Sequence, residues 1–150
     1  MQPSLRTCLV ATSLFALFVP INTRADSVHK EIWIGAGVSW PEYRERASAC
    51  TRGGIGAVIV DRVTLGASAQ ADRERWYYFA DAGLIFPPVW GLEPYGRFQI
   101  GRRDDRDDTA TGWAGGVRMG DPDGNVHIFL EAHGVVEPEK NNGISLGLSF

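Results

Sequence analysis

Cysteine is nearly missing from the chain: 150 residues contain two, Cys8 and Cys50. Cys8 lies in an apolar N-terminal stretch that reads as removable, which leaves Cys50 alone, so an intrachain disulfide and a cysteine-based metal cluster are both excluded. Positive charge is also in deficit, with 15 Lys and Arg against 18 Asp and Glu. A nucleic-acid binder needs the opposite balance. Long apolar runs are absent as well. The longest covers residues 8–21, about 14 residues where a transmembrane helix needs roughly 20. No convincing amphipathic helix follows it.

What is present at the N-terminus is an export pattern. Arg6 precedes the apolar run, and Thr23 and Ala25 place small residues where a signal peptidase reads them, just before Asp26. Residues 1–25 therefore read as a signal peptide and residues 26–150 as one domain, small enough to hold a single core.

The rest of the chain alternates. In its last residues Ile144, Leu146, Leu148 and Phe150 interleave with Ser145, Gly147 and Ser149, which is the period of a strand with one apolar face. Seven further alternating segments precede it, so strands are expected over residues 31–40, 52–60, 62–70, 74–86, 91–102, 110–120, 125–136 and 143–150. The connections alternate between charged, mostly longer ones and short turns, as in an up-and-down meander whose successive connections lie at opposite ends. A terminal strand without a polar tail needs a neighbour, and closure onto the first strand supplies one. The predicted fold is all-β, an eight-stranded antiparallel barrel.

Separating the two faces shows which side is polar. The phase containing Ile144 and Phe150 continues through Ile32, Ile34, Leu65, Leu84, Ile100, Trp113 and Leu130 without a charge. The other phase carries Glu31, Asp81, Glu93, Arg97, Gln99, Arg118, His127, Glu131 and His133. A soluble barrel would have to fill its lumen with the first phase, whose many alanines fill it poorly. Facing lipid, those same residues are suitable, so the charges belong inside and the barrel is a transmembrane one.

The alternating strands, the segment from Pro94 to Gly101 and the ending from Gly143 to Phe150 resemble the small outer-membrane β-barrel proteins of Gram-negative bacteria, the OmpA/OmpX type, barrel only. The resemblance implies an outer-membrane location. Ile144, Leu146, Leu148 and Phe150 would then be the signal read by the barrel assembly machinery. It further implies outer-membrane lipid and lipopolysaccharide as surroundings, and a monomer. In that topology the loops with Glu45, Asp105 and Lys140 face outward and Asp123 faces the periplasm.

Inside, a turn over residues 87–90 would set Asp81 opposite Arg97, and Arg118, His127 and Glu131 on the next strands would extend an ion-pair network that plugs the lumen. No residue pattern calls for a cofactor or a metal ion. Residues 102–108 interleave Arg102, Arg103 and Arg106 with four aspartates, which favours a solvated, self-paired loop over a calcium site, since no glycine lets the backbone wrap. Residues 40–51 read as a first loop carrying aromatics and the Cys50 thiol.

Two other functions are weighed. The placement of His133 is similar to the catalytic strand of outer-membrane lipid A deacylases, but Val135 stands where the nucleophilic serine belongs and Ser145 where the orienting carboxylate belongs. A narrow channel is the other alternative, opposed by an interior with room only for side chains. The expected function is a non-enzymatic outer-membrane protein with a structural or surface-interaction role and no catalytic residues.

Overall fold

A computed structural model describes residues 28–42, 46–59, 62–72, 75–120 and 126–150. The expected signal peptide, Glu45 and Asp123 lie outside these residues. Eight strands follow in order: β1 Val28–Pro41, β2 Ser48–Ile59, β3 Val63–Ala71, β4 Trp76–Ile85, β5 Glu93–Arg103, β6 Arg106–Gly120, β7 His127–Glu137 and β8 Asn141–Ser149. Each pairs antiparallel with its sequence neighbour, and β8 pairs with β1 to close the barrel. Closure is completed by Phe150, whose N–H donates to the Ile32 carbonyl at 2.8 Å and whose carbonyl accepts from Ile32 N–H at 2.9 Å.

Register fixes the geometry. Stepping across paired residues from Val28 leads through Ile59, Val63, Leu84, Gly96, Gly115, Ala132 and Ile144 to Val38, ten residues further along β1. Because side chains alternate with a period of two, an even stagger lets the apolar face meet itself when the sheet closes. With about 3.3 Å per residue and 4.8 Å between strands, that stagger tilts the strands by about 40°.

The face assignment read from the sequence holds on every strand. Large apolar side chains point outward and remain open, among them Ile34, Leu84, Phe98, Ile100, Leu130, Leu146 and Phe150, while Asp81, Gln99, Glu131 and His133 are buried inside. Trp40 sits half-exposed near the C-terminal end of β1.

The connections differ from expectation. Residues 103–109 and 48–51 were expected in loops, yet β5 and β6 run on until only Asp104 and Asp105 join them, and β2 begins at Ser48. Inward positions explain this: Arg103 and Cys50 each continue the lumen phase of their strand and are buried. The longest fully described connection, residues 86–92, lies at the end predicted to have short turns. There Trp90 and Gly91 both take positive φ, 54° and 78°, and Val89 pairs with Leu92 through reciprocal backbone bonds. Two residues of positive φ match the right-handed twist of a hairpin. The turn is therefore centred on Trp90 and Gly91, displaced from the expected centre within residues 87–90.

Candidate functional site

The displaced turn corrects one pairing. Asp81 faces Gln99, and Arg97 faces Gly83, so Asp81 and Arg97 are not direct cross-strand partners. The slip is two residues. An even slip preserves which face each residue occupies and changes only whom it meets.

The charged lumen is built around Glu131, which is fully buried. It accepts from Arg52 on β2, from Arg97 Nη2 at 2.6 Å and from the Tyr95 hydroxyl at 2.8 Å. Arg97 lies 4.4 Å from the centre of the Trp33 ring and 5.0 Å from that of Tyr95, so its guanidinium plane is held by aromatic faces as well as by the carboxylate. Trp33 is itself packed edge-on against Phe129 at 6.0 Å. Around the same rung Gln99 accepts from Arg52 Nη2 at 3.1 Å and donates to Asp81 at 2.6 Å and Ser68 at 3.1 Å. Ser68 donates to Asp81 at 2.9 Å. Asp81 thus joins the network through an amide and a hydroxyl, with Arg52 one bond further on.

Toward the end that carries Val28 and Phe150, Arg118 donates to Glu93 at 2.6 Å and Glu31 at 3.4 Å. A small cavity between this group and the Glu131 rung is lined by Thr64, Tyr95, Arg97, Trp33 and Phe129. Arg118 thus pairs with Glu93 and Glu31 in a group of its own, while Glu131 anchors the waist group. His127 occupies the first rung of β7 opposite Gly120 and Ser149, and among the described residues no side-chain hydrogen bond or ion pair ties it to the network. Along β7 the inward ring of Phe129 stands between it and Glu131.

At the opposite end a second group closes the barrel. Glu139 bonds Arg75 and lies 3.4 Å from Arg103 Nη1, and Arg103 also pairs with Asp105. Asp72 accepts from Arg75 N–H at 3.0 Å and from Asn141 Nδ2 at 3.3 Å. The Arg75 hydrogen bond, assisted by the charge of Arg103, holds the Glu139 carboxyl below its ordinary range against a smaller opposing effect of burial. Residues on three connections are joined in this way, so the expected self-paired acidic loop at Asp104 and Asp105 is part of a wider cap. Beneath it Tyr77, Phe79, Ala110 and Val135 form an apolar cluster, with the Tyr77 and Phe79 rings stacked at 6.1 Å.

Between cap and waist, Cys50 Sγ lies 3.8 Å from His133 Nε2. His133 is wholly enclosed. Its ring meets a thiol inside the lumen, and the serine at the expected distance of a deacylase is replaced by Val135, which is also buried. Arg52, Tyr95, Arg103 and Glu139 were missed as site residues. The signal existed for the first three, because each lies in the inward phase of its strand; Glu139 lies in a connection, where periodicity offers nothing.

No protein-family model and no curated protein sequence matches the chain. Solved structures do. The designed transmembrane barrel TMB2.3 superposes with a TM-score of 0.61 at 16% identity, covering 85% of this chain and 97% of the design. The N-terminal barrel of Pseudomonas aeruginosa OprF gives 0.56 at 19% identity, over 80% of this chain and 97% of its own. Neisserial surface protein A gives 0.56 at 14% identity, over 81% and 95%. At these identities the likeness establishes the fold, a closed eight-stranded barrel of the transmembrane kind.

Proposed function

We propose that the protein is a non-enzymatic outer-membrane β-barrel with a structural or surface-interaction role. The observation that carries the reading is the inversion of polarity: an outer wall of half-exposed Ile, Leu, Phe and Val around a lumen that buries Arg52, Asp81, Glu131 and His133. In water such a wall would expose far more contiguous apolar surface than a soluble monomer carries. In hydrocarbon it is the stable arrangement. The shared fold with OprF and neisserial surface protein A supports an outer-membrane address. Lipid and lipopolysaccharide are the proposed surroundings, a monomer the proposed state, and the barrel assembly machinery the proposed route of insertion, through Ile144, Leu146, Leu148 and Phe150.

The ion pairs act as a plug. Charges that satisfy one another across the lumen hold opposite walls together and leave little room for solvent. The lipid A deacylase alternative is weakened by the sequestration of His133 beside Cys50. The channel alternative is opposed by the Arg52, Glu131 and Arg97 rung. Membrane fractionation with heat-modifiable gel mobility tests the main reading: the folded protein should sediment with outer membranes and migrate faster unheated than boiled. Recovery in the soluble periplasm would overturn it. Acyl chains released from lipid A by the purified barrel, or single-channel current in a planar bilayer, would favour the enzyme or the channel respectively.

A further inference from the structure

We propose that Cys50 and His133 form a two-ligand site in the outer lumen for a soft monovalent metal ion, of the copper(I) class. Two observations carry it. The thiol and imidazole come from β2 and β7, on opposite sides of the β1–β8 seam, and their Sγ and Nε2 atoms face each other at 3.8 Å. Glycine makes the approach possible. Gly37 separates Cys50 from Ser145 along one row, and Gly143 separates Ser39 from His133 along the next. A Cβ on Gly143 would come within 2.6 Å of the His133 ring, so the bare backbone is what lets the imidazole lean across β8.

The chamber also fails to satisfy itself. His133 Nδ1 and the Ser145 hydroxyl are buried without a hydrogen-bond partner, and both residues are at most 1% exposed. Buried polar groups without partners are uncommon, and these two border the thiol–imidazole pair without being ligands of the ion.

The chemistry selects the ion. Thiolate and imidazole together suit copper(I) and zinc, with bonds of about 2.3 Å to sulfur and about 2.0 Å to nitrogen for zinc. Bonds of similar length span 3.8 Å in a bent arrangement, and about half an ångström of side-chain movement straightens it. Zinc favours four ligands, and among the described residues no cluster of three His, Cys, Asp or Glu exists to supply them. Charge points the same way. A monovalent ion that displaces the thiol proton leaves a neutral sulfur–metal–nitrogen unit, whereas a divalent one leaves a net positive charge in a low-dielectric lumen near Arg52. The balance is one ion taken up and one proton released, with Cys50 bound as thiolate and His133 neutral.

Silver(I), which needs no reductant to hold its oxidation state, is the probe. The reduced full barrel in detergent, folded beforehand or refolded with silver nitrate in chloride-free buffer, should take up one silver per chain and release one proton. X-ray absorption of the silver-loaded barrel should show one sulfur and one nitrogen neighbour. C50S should abolish uptake, and H133N should weaken it about tenfold or more, as loss of a metal-site group does, with heat-modifiable mobility confirming that each variant is folded. Absence of uptake in both preparations, a sulfur-only shell, or equal affinity in H133N and the wild type would overturn the proposal.

Discussion

Two arginine–glutamate–arginine triads lie at different heights in this barrel. At the waist Glu131 joins Arg52 and Arg97 with the carboxylate fully shielded; at one mouth Glu139 joins Arg75 and Arg103 with the carboxylate 27% exposed. The groups are chemically the same and their solvation differs. At the mouth, water reaches Glu139 and Arg75, and Arg103, itself buried, keeps Asp105 as a second carboxylate when Glu139 leaves, so the pairing contributes modestly. At the waist nothing replaces a lost partner, and removal leaves an uncompensated charge. The difference teaches that position within the lumen, more than ion-pair chemistry, decides which bridge the fold depends on.

The largest effect should come from breaking the waist. Glu131→Ala should destabilise the barrel by about 3–5 kcal/mol, because Arg52 and Arg97 lose their shared counter-ion. Replacing all three residues with apolar ones of similar size should recover much of that loss. Denaturant unfolding in lipid vesicles measures both, and equal losses for Glu131→Ala and Glu139→Ala would erase the distinction between the triads.

The comparison also requires hydrocarbon around the wall. Leu146→Arg or Leu130→Arg should cost about 2–4 kcal/mol if the site lies near the bilayer midplane. A negligible cost would mean that the wall is wet, and the waist triad with it. Deleting Phe150 should leave both triads in place while removing two backbone bonds to Ile32, each worth about 0.5–1.5 kcal/mol. Its larger effect is expected on the amount of folded protein delivered, read by pulse-chase; unimpaired delivery would remove Phe150 from the assembly signal.

The smallest effect belongs to the mouth. Glu139→Gln should cost about 0.2–1 kcal/mol. Because its carboxyl is held below the unfolded value of about 4.3, the wild-type pair contributes fully above that pH and its contribution disappears as pH falls through the lower folded value. Stability curves of wild type and Glu139→Gln should therefore converge in acid. A gap that persists there would assign the difference to packing.

Strand number, closure and the polarity of both faces were legible in the sequence, because a period of two repeats over every strand and one misplaced residue would break it. Partners were not. Asp81 and Arg97 share a face on adjacent strands, yet which rung each occupies depends on whether the hairpin turns at residues 87–90 or at Trp90 and Gly91, and a bulky tryptophan at positive φ is a choice that turn propensities argue against. Arg52 opens an expected strand and Arg103 was expected in a loop because it adjoins a charged segment; for both, the inward phase is what marks them as lumen residues. The Cys50 and His133 contact crosses the β1–β8 seam between residues 83 positions apart, and it depends on two glycines that periodicity treats as gaps.

The rung that joins Ile32 to Phe150 has a consequence for how the chain reaches its folded state. More than a hundred residues separate the two ends of that pair, so β1 leaves synthesis long before its second partner exists. Contacts of such sequence separation are entropically costly to form and slow the search. Until they form, β1 and β8 each present an open hydrogen-bonding edge flanked by lipid-seeking side chains, the arrangement that templates aggregation. A chain built this way is open to edge-to-edge association for as long as its two ends remain apart.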